Sequence, residues 1–225
     1  MIASAADRGA RARAGRLLAR VAFREAAAVY EALTDSEPWR ADCAALAALL
    51  PPGRVLDLGT GPGTSAVEIA RAAPAAGVVG LDLSPAMLGR ARRRAARAGV
   101  ALPLVNADAA ALPFRDRSFD GAVGHSFLYL LADPETALRE VSRVVRPGGT
   151  VAFLEPSAGA PDVARAAAGG LRFAASMALW RAMSALHRRF DLPGATGLLA
   201  RAGFAHARAF PVLAGCGLVL TGAAP

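Results

Sequence analysis

From about residue 51 onward the apolar positions follow two alternating rhythms. Short, nearly unbroken apolar runs are separated by longer stretches in which apolar residues recur every third or fourth position. The runs read as strands buried on both faces, and the longer stretches as amphipathic helices packed against them. Strands are predicted at 54–59 (RVLDLG), 77–83 (GVVGLDL), 102–108 (LPLVNAD), 118–127 (SFDGAVGHSF) and 150–156 (TVAFLEP). Helices are predicted between them at 64–73, 84–99 and 134–149. Ser84 is placed to cap the second of these, with Pro85 in its first turn and Gly99 just past its end. The third opens on Pro134 and is expected to stop at Gly148-Gly149. Strands alternating with helices in this way build a mostly parallel sheet covered on both faces.

The flanks behave differently. Residues 11–33 read as helical, and so do residues 37–50, which Pro51-Pro52 terminate. After Pro156 the alternation breaks. Residues 160–189 read as one long helical insertion, with Phe173, Met177 and Trp180 at helical spacing. A helix over 192–204 and two β-like runs, 206–212 and 217–222, close the chain. Only LAGC separates those runs, which suits an antiparallel pair rather than a parallel crossover. The expected organisation is an N-terminal helical extension (residues 1–50) and one α/β domain (residues 51–225) with a helical insertion at about 160–190.

Composition narrows the picture. The chain has 225 residues, 54% of them hydrophobic, enough for one core. The net charge of +8 would suit nucleic acid or an anionic membrane. Every basic residue other than histidine is arginine, however, and arginine and alanine are over-used from end to end. That uniformity reads as coding bias, and nucleic acid is not expected as a partner. Cys43 and Cys216 stand alone, without a CxxC or a spaced His pair, so neither a disulfide framework nor a metal site is expected. The arginine-rich first residues contain no unbroken apolar stretch, and no run is long enough to span a membrane. A cytoplasmic location follows as the expectation.

The chemistry concentrates after the first strand, in VLDLGTGPG. Gly59, Gly61 and Gly63 let a backbone turn approach a ligand closely where strand passes to helix. The phosphate-loop pattern is absent, and it requires a lysine that this chain lacks. The turn reads GxGxG rather than GxGxxG, and Pro62 removes one amide donor from a pyrophosphate cradle. Asp57, two residues before Gly59, would repel a phosphate but attract an ammonium group. Asp82 ends the second strand, where an acid can accept from the two hydroxyls of a ribose. Asp108 ends the third strand, where its carboxylate and the Ala109 amide can face an adenine. Together these are an ammonium site, a ribose site and an adenine site without a phosphate site. S-adenosylmethionine has those parts.

VLDLGTGPG, GLDLSPAML, NADAAALPF, SFDGAVGHSFLYLLAD and ALREVSRVVRPGGTVAFLEP, in that order, resemble the successive motifs of class I S-adenosylmethionine-dependent methyltransferases. The likeness spans about residues 55–156 and is nearest to the small-molecule and ubiquinone/menaquinone-type group. It implies a Rossmann-like, seven-stranded, mostly parallel sheet with an antiparallel last strand. It also implies S-adenosylmethionine as cofactor. On this resemblance Asp57, Gly59, Thr60, Gly61 and Gly63 form the methionine side of the site, and Asp82 holds the ribose. Leu83 and Met87 lie near the adenine edge, Asp108 and Ala109 flank the ring, and Gly124 and His125 line the methionine moiety. Tyr30 is expected to cover the cofactor, as an aromatic in the N-terminal helix does in similar enzymes. On the acceptor side the candidates are Tyr30, Tyr129, Glu155 and Trp180, and His125 is the candidate base for a hydroxyl acceptor.

The nucleobase-methylating signature Asn/Asp-Pro-Pro-aromatic is missing after the fourth strand, and neither cysteine lies near that strand. The expected acceptor is therefore a small, apolar molecule, with the 160–189 segment as a greasy lid. Two alternatives stand beside it. One is a lipid or quinol C-methyltransferase working at a membrane surface. The other is a protein that holds S-adenosylmethionine without turnover.

Overall fold

The computed structural model describes residues 36–225; the helix expected over 11–33, and Tyr30 within it, lie outside the described residues. Helix α1 (Glu37–Ala45) runs into a short 3-10 turn at Leu46–Leu49. The strands are β1 (Gly53–Leu58), β2 (Ala76–Asp82), β3 (Leu104–Asn106), β4 (Phe119–His125), β5 (Val145–Pro156), β6 (Ala205–Val212) and β7 (Gly217–Ala223). The remaining helices are α2 (Thr64–Ala72), α3 (Pro85–Ala98), α4 (Pro134–Val144), α5 (Val163–Ala168), α6 (Leu171–Ala185) and α7 (Leu192–Arg201).

The strands form one sheet in the order β3-β2-β1-β4-β5-β7-β6. Strands β3, β2, β1, β4 and β5 pair in parallel, and β7 is antiparallel to both its neighbours. The expected mostly parallel sheet with an antiparallel last strand is present. The chain leaves the middle of the sheet at β1, builds outward to β3, then returns to place β4 on the other side of β1. That reversal opens a crevice at the carboxyl ends of β1 and β4, where ligands sit in such sheets.

Alternation along β1 divides the core. Leu56 and Leu58 join a cluster with Leu138, Val141 and Val144 of α4 and Leu198 and Leu199 of α7. Val55 joins the opposite cluster with Trp39, Cys43 and Leu46, with Ala66 and Ile69 of α2, and with Phe173, Met177 and Trp180 of α6. Asp57 projects to this second side. The N-terminal residues 36–50 are thus packed onto the sheet through α2. Both cysteines are buried and unpaired.

Two boundaries differ from the sequence expectation. Helix α4 ends at Val144, not at the glycine pair, and Val145 already pairs with Phe119 of β4. Pro147 lacks an amide and disfavours helix for the residue before it. The last carbonyls of α4 are taken instead by the amides of Arg117 (3.0 Å) and Ser118 (2.8 Å). The excursion through Arg146–Gly149 appears as a register shift between the Phe119 and Gly121 pairings. The insertion is two helices rather than one, broken at Gly169-Gly170, where Gly170 has φ +92°. Its neck is closed by a parallel bridge between Ser157 and Phe190. Among the described residues no helix is long and apolar enough to cross a membrane.

Candidate active site

The carboxyl ends of β1, β2 and β4 surround a cavity of about 800 Å³, in the upper part of the usual range of about 300–1,000 Å³ for ligand pockets. Its first wall is the glycine turn. The Thr60 amide donates to the Leu81 carbonyl (2.9 Å) and the Gly63 amide to the Thr60 carbonyl (2.9 Å), which fixes the turn beside β2. Gly59 has φ +62°, and a Cβ there would stand 2.2 Å from a ring carbon of Phe127. Only glycine lets that ring lie against the turn. Gly63 (φ +83°) starts α2, and a Cβ on it would come within 3.0 Å of Ala91 in α3.

Asp82 ties the turn to the next helix. Its Oδ2 accepts from the Gly61 amide (2.9 Å) and its Oδ1 from the Ser84 amide (2.7 Å). Each oxygen keeps a second lone pair, so ribose hydroxyls still have acceptors. Burial raises the Asp82 pKa, and the Ser84 and Gly61 amides act against the rise. Ser84 caps α3 by accepting from the Met87 amide, and Gly99 closes the helix with φ +67°. Asp108 turns the chain after β3 by accepting from the Ala110 amide (2.9 Å).

The opposite wall comes from the end of β4. His125 lies against Trp39 with ring centroids 4.6 Å apart, and Trp39 meets Trp180 edge-on at 5.1 Å. Burial pushes the His125 imidazole down to about 4, so it is neutral at physiological pH. Ser126 follows with φ +56°, then Phe127 and Tyr129, and Tyr129 stacks edge-on against His187 (5.8 Å). Within this site Thr60 Oγ1, Ser65 Oγ, His125 Nε2 and Ser126 Oγ are buried without a hydrogen-bond partner, and all four residues line the cavity.

Asp57 is fully buried, and neither carboxylate oxygen is hydrogen-bonded. Burial pushes it up to about 7, opposed by the nearby Thr60 hydroxyl, which stops short of hydrogen-bond geometry. Orphaned carboxylate oxygens beside a glycine turn fit a missing cationic partner. Asp57 also sets a test. A raised acid favours the fold while protonated in it, and that contribution is lost as pH rises from the unfolded value near 4 through about 7. The Asp57→Asn variant, compared with the parent by denaturant unfolding at pH 5 and pH 8, is expected to gain in relative stability at the higher pH. An equal difference at both pH values would contradict it. His125 and Glu155 titrate in both proteins and cancel in the comparison.

The structure brings Gly59, Thr60, Gly61, Asp82, Leu83, Met87, Asp108, Ala109, His125 and Tyr129 around one cavity. Gly63, Gly124 and Asp57 are not part of its wall; Gly124 packs where a Cβ would meet the Phe153 ring at 2.9 Å. Glu155 and Trp180, both expected on the acceptor side, are fully buried away from the cavity wall. The Glu155 carboxylate faces backbone amides, and Trp180 is core. Of the expected lid only Met183 reaches the cavity. Sequence reading missed Trp39, Ser126 and Phe127. Trp39 and Cys43 make a helical i, i+4 pair, but nothing in that pair tells which apolar surface it meets. Among the described residues no cluster of His, Cys, Asp or Glu is arranged to hold a metal.

Comparison with known proteins agrees with this geometry. Residues 55–149 match the methyltransferase domain family. The chain is 44% identical over 117 residues to a demethylmenaquinone methyltransferase of Thermus thermophilus, covering 52% of this chain and 53% of that protein. It is 38% identical over 117 residues to the enzyme of the same name from Deinococcus radiodurans, covering 52% and 48%. The chain thus spans about half the length of these curated relatives. Among solved structures, a SAM-dependent methyltransferase of Thermotoga maritima, described as a possible histamine N-methyltransferase, superposes with a TM-score of 0.64 at 22% identity, over 90% of this chain and 97% of that one. Residues 55–149 thus match the methyltransferase domain family, and the Thermotoga structure shares the fold. The orphaned polar atoms around the glycine turn fit the S-adenosylmethionine expected from the sequence.

Proposed function

We propose that this protein transfers the methyl group of S-adenosylmethionine to a small, largely apolar acceptor with a quinol-like ring. The observation that carries the reading is the set of buried, unpartnered polar atoms at Thr60, Ser65, His125 and Ser126, gathered on one cavity behind which Asp57 is equally unpartnered. Buried polar groups without partners are rare and call for a ligand. In the proposed arrangement Asp57 answers the ammonium group, Asp82 the ribose hydroxyls, and Asp108 and Ala109 the adenine, with Leu83 and Met87 along its edge.

The cofactor supplies a methyl group on a positively charged sulfur, a good leaving group for in-line displacement. What remains for the protein is alignment and exclusion of water. Trp39, Phe127, Tyr129 and Met183 provide the apolar walls for that. His125, neutral and with Nε2 unpartnered, is the group placed to take a proton from a hydroxyl acceptor. Its depressed pKa makes it a weak base, which favours acceptors that are themselves acidic or that react at carbon. The names of the Thermus and Deinococcus relatives support a quinol acceptor. An acceptor with an apolar tail also suits Leu83 and Leu130, which line the cavity while 62% and 38% exposed.

Calorimetric titration with S-adenosylmethionine, S-adenosylhomocysteine and NAD is the first test. The two sulfur compounds are expected to bind and NAD is not. Binding of NAD without S-adenosylmethionine would sink the reading. Transfer of labelled methyl to 1,4-naphthalenediols, phenols and amines then tests the acceptor, and label found only on polar amines removes the apolar part.

A further inference from the structure

We propose that Glu155 is a positioning residue of the methyl-transfer site, anchoring from the end of β5 the segment that carries Phe127 and Tyr129 into the cavity wall. The inference rests on the cavity having the role proposed above.

The chain leaves β4 through an awkward turn. Ser126 adopts φ +56°, a left-handed conformation uncommon outside glycine. Its amide still donates to the Leu154 carbonyl (2.8 Å). The next three amides leave the sheet ladder and converge on one carboxylate. Glu155 Oε1 accepts from Phe127 (3.0 Å) and Leu128 (2.8 Å), and Oε2 from Tyr129 (3.2 Å). The short 3-10 turn Leu128–Leu130 has no side-chain cap of its own. Glu155 caps it from a neighbouring strand, with the stronger bonds a carboxylate makes to amides.

This carboxylate is unusual in its surroundings. It is fully buried, its neighbours along β5 are Leu154 and Pro156, and it pairs across the sheet with Leu218. Burial pushes its pKa up to about 7, against the pull of the three amides. An apolar side chain would satisfy the sheet at lower desolvation cost. What the carboxylate adds is a fixed direction for three consecutive peptide groups.

That direction reaches the cavity on two sides. Phe127 is held with its ring against Gly59 of the glycine turn, so close that a Cβ on that residue would stand 2.2 Å from a ring carbon. Tyr129, two residues on, is held edge-on to His187 of the insertion. Glu155 touches neither ligand in the proposed arrangement, and it acts through the wall it anchors.

The test combines hydrogen exchange with a double-mutant cycle on S-adenosylmethionine affinity. In the ligand-free protein, Glu155→Gln is expected to speed exchange of the 127–129 amides about tenfold or more while α2 amides stay unchanged. Calorimetric affinity for S-adenosylmethionine is expected to fall about tenfold in Glu155→Gln, the size of one lost charge-assisted bond. Phe127→Ala should weaken binding similarly, and the double variant should bind no worse than the weaker single, because both act through one contact. Glu155→Asp keeps the charge on a shorter arm and should lie between the parent and Glu155→Gln. Unchanged exchange at the three amides overturns the proposal. So do fully additive losses, or an Asp variant worse than Gln. If Glu155→Gln fails to fold, Glu155→Asp is read against the parent by the same two measurements. A parent that binds no S-adenosylmethionine overturns the cofactor reading, and the exchange measurement still decides the anchor.

Discussion

Trp180→Ala is expected to lower the unfolding free energy by about 3–5 kcal/mol, the range for truncating a large aromatic in a packed core. For a chain of this size that corresponds to a fall in Tm of roughly 6–20 °C. The expectation follows from placement. Trp180 is fully buried, lies on the same helical face as Phe173 and Met177, and supports Trp39 edge-on at 5.1 Å. Its indole Nε1 has no hydrogen-bond partner, so part of the ring's gain is already offset by a desolvated donor. Trp180→Phe removes that donor and most of the cavity penalty, and it should cost well under half as much. Thermal unfolding of the two variants beside the parent decides the matter. A parent-like Tm in the alanine variant, with a selective loss of apolar acceptors, would return the residue to the lid role that its spacing suggested.

The second large effect is on the cofactor. Asp82→Ala should weaken S-adenosylmethionine by about 2–4 kcal/mol, roughly 30- to 1,000-fold in Kd. Two losses combine. The ligand-facing lone pairs go, and so do the bonds that hold the Gly61 amide (2.9 Å) and the Ser84 amide (2.7 Å) in place. The glycine turn and the start of α3 then lose their common fixed point. Asp82→Asn retains one acceptor oxygen and should lie between. The measurement is calorimetric titration of each variant at one salt concentration, with a Tm to confirm folding. A parent-like Kd in the alanine variant would move the ribose contact elsewhere.

How far the sequence carried depends on whether a signal was local. The strand–helix rhythm came through because buried parallel strands are continuous apolar runs, and because Ser84, Pro85 and Gly99 mark the ends of α3 chemically. The glycine turn and Asp82 were readable for the same reason. The glycines sit at positive φ, and the acid lies at a strand end beside them. The α4–β5 boundary was not readable, because Arg117 and Ser118, far back in the chain, take the last helical carbonyls. The insertion reads as one helix because Gly169-Gly170 is tolerable within a helical pattern until tertiary packing uses it as a corner. Glu155 illustrates the limit most sharply. Its place at a strand end was predictable, but its partners are amides 26–28 residues away. Trp39 and Trp180 had to be seen together, since helical spacing marks an apolar face without saying whether it meets a ligand or a sheet.

The contact between those two rings has an optical consequence. Trp39 and Trp180 are the chain's two tryptophans, so all of its indole emission arises from a single pair whose outer member forms part of the cavity wall. The inner indole is screened from water, and the outer one lies against an imidazole. Near-ultraviolet absorption and emission therefore report on one place in the molecule, and filling or emptying that place is legible in the spectrum of the unlabelled protein.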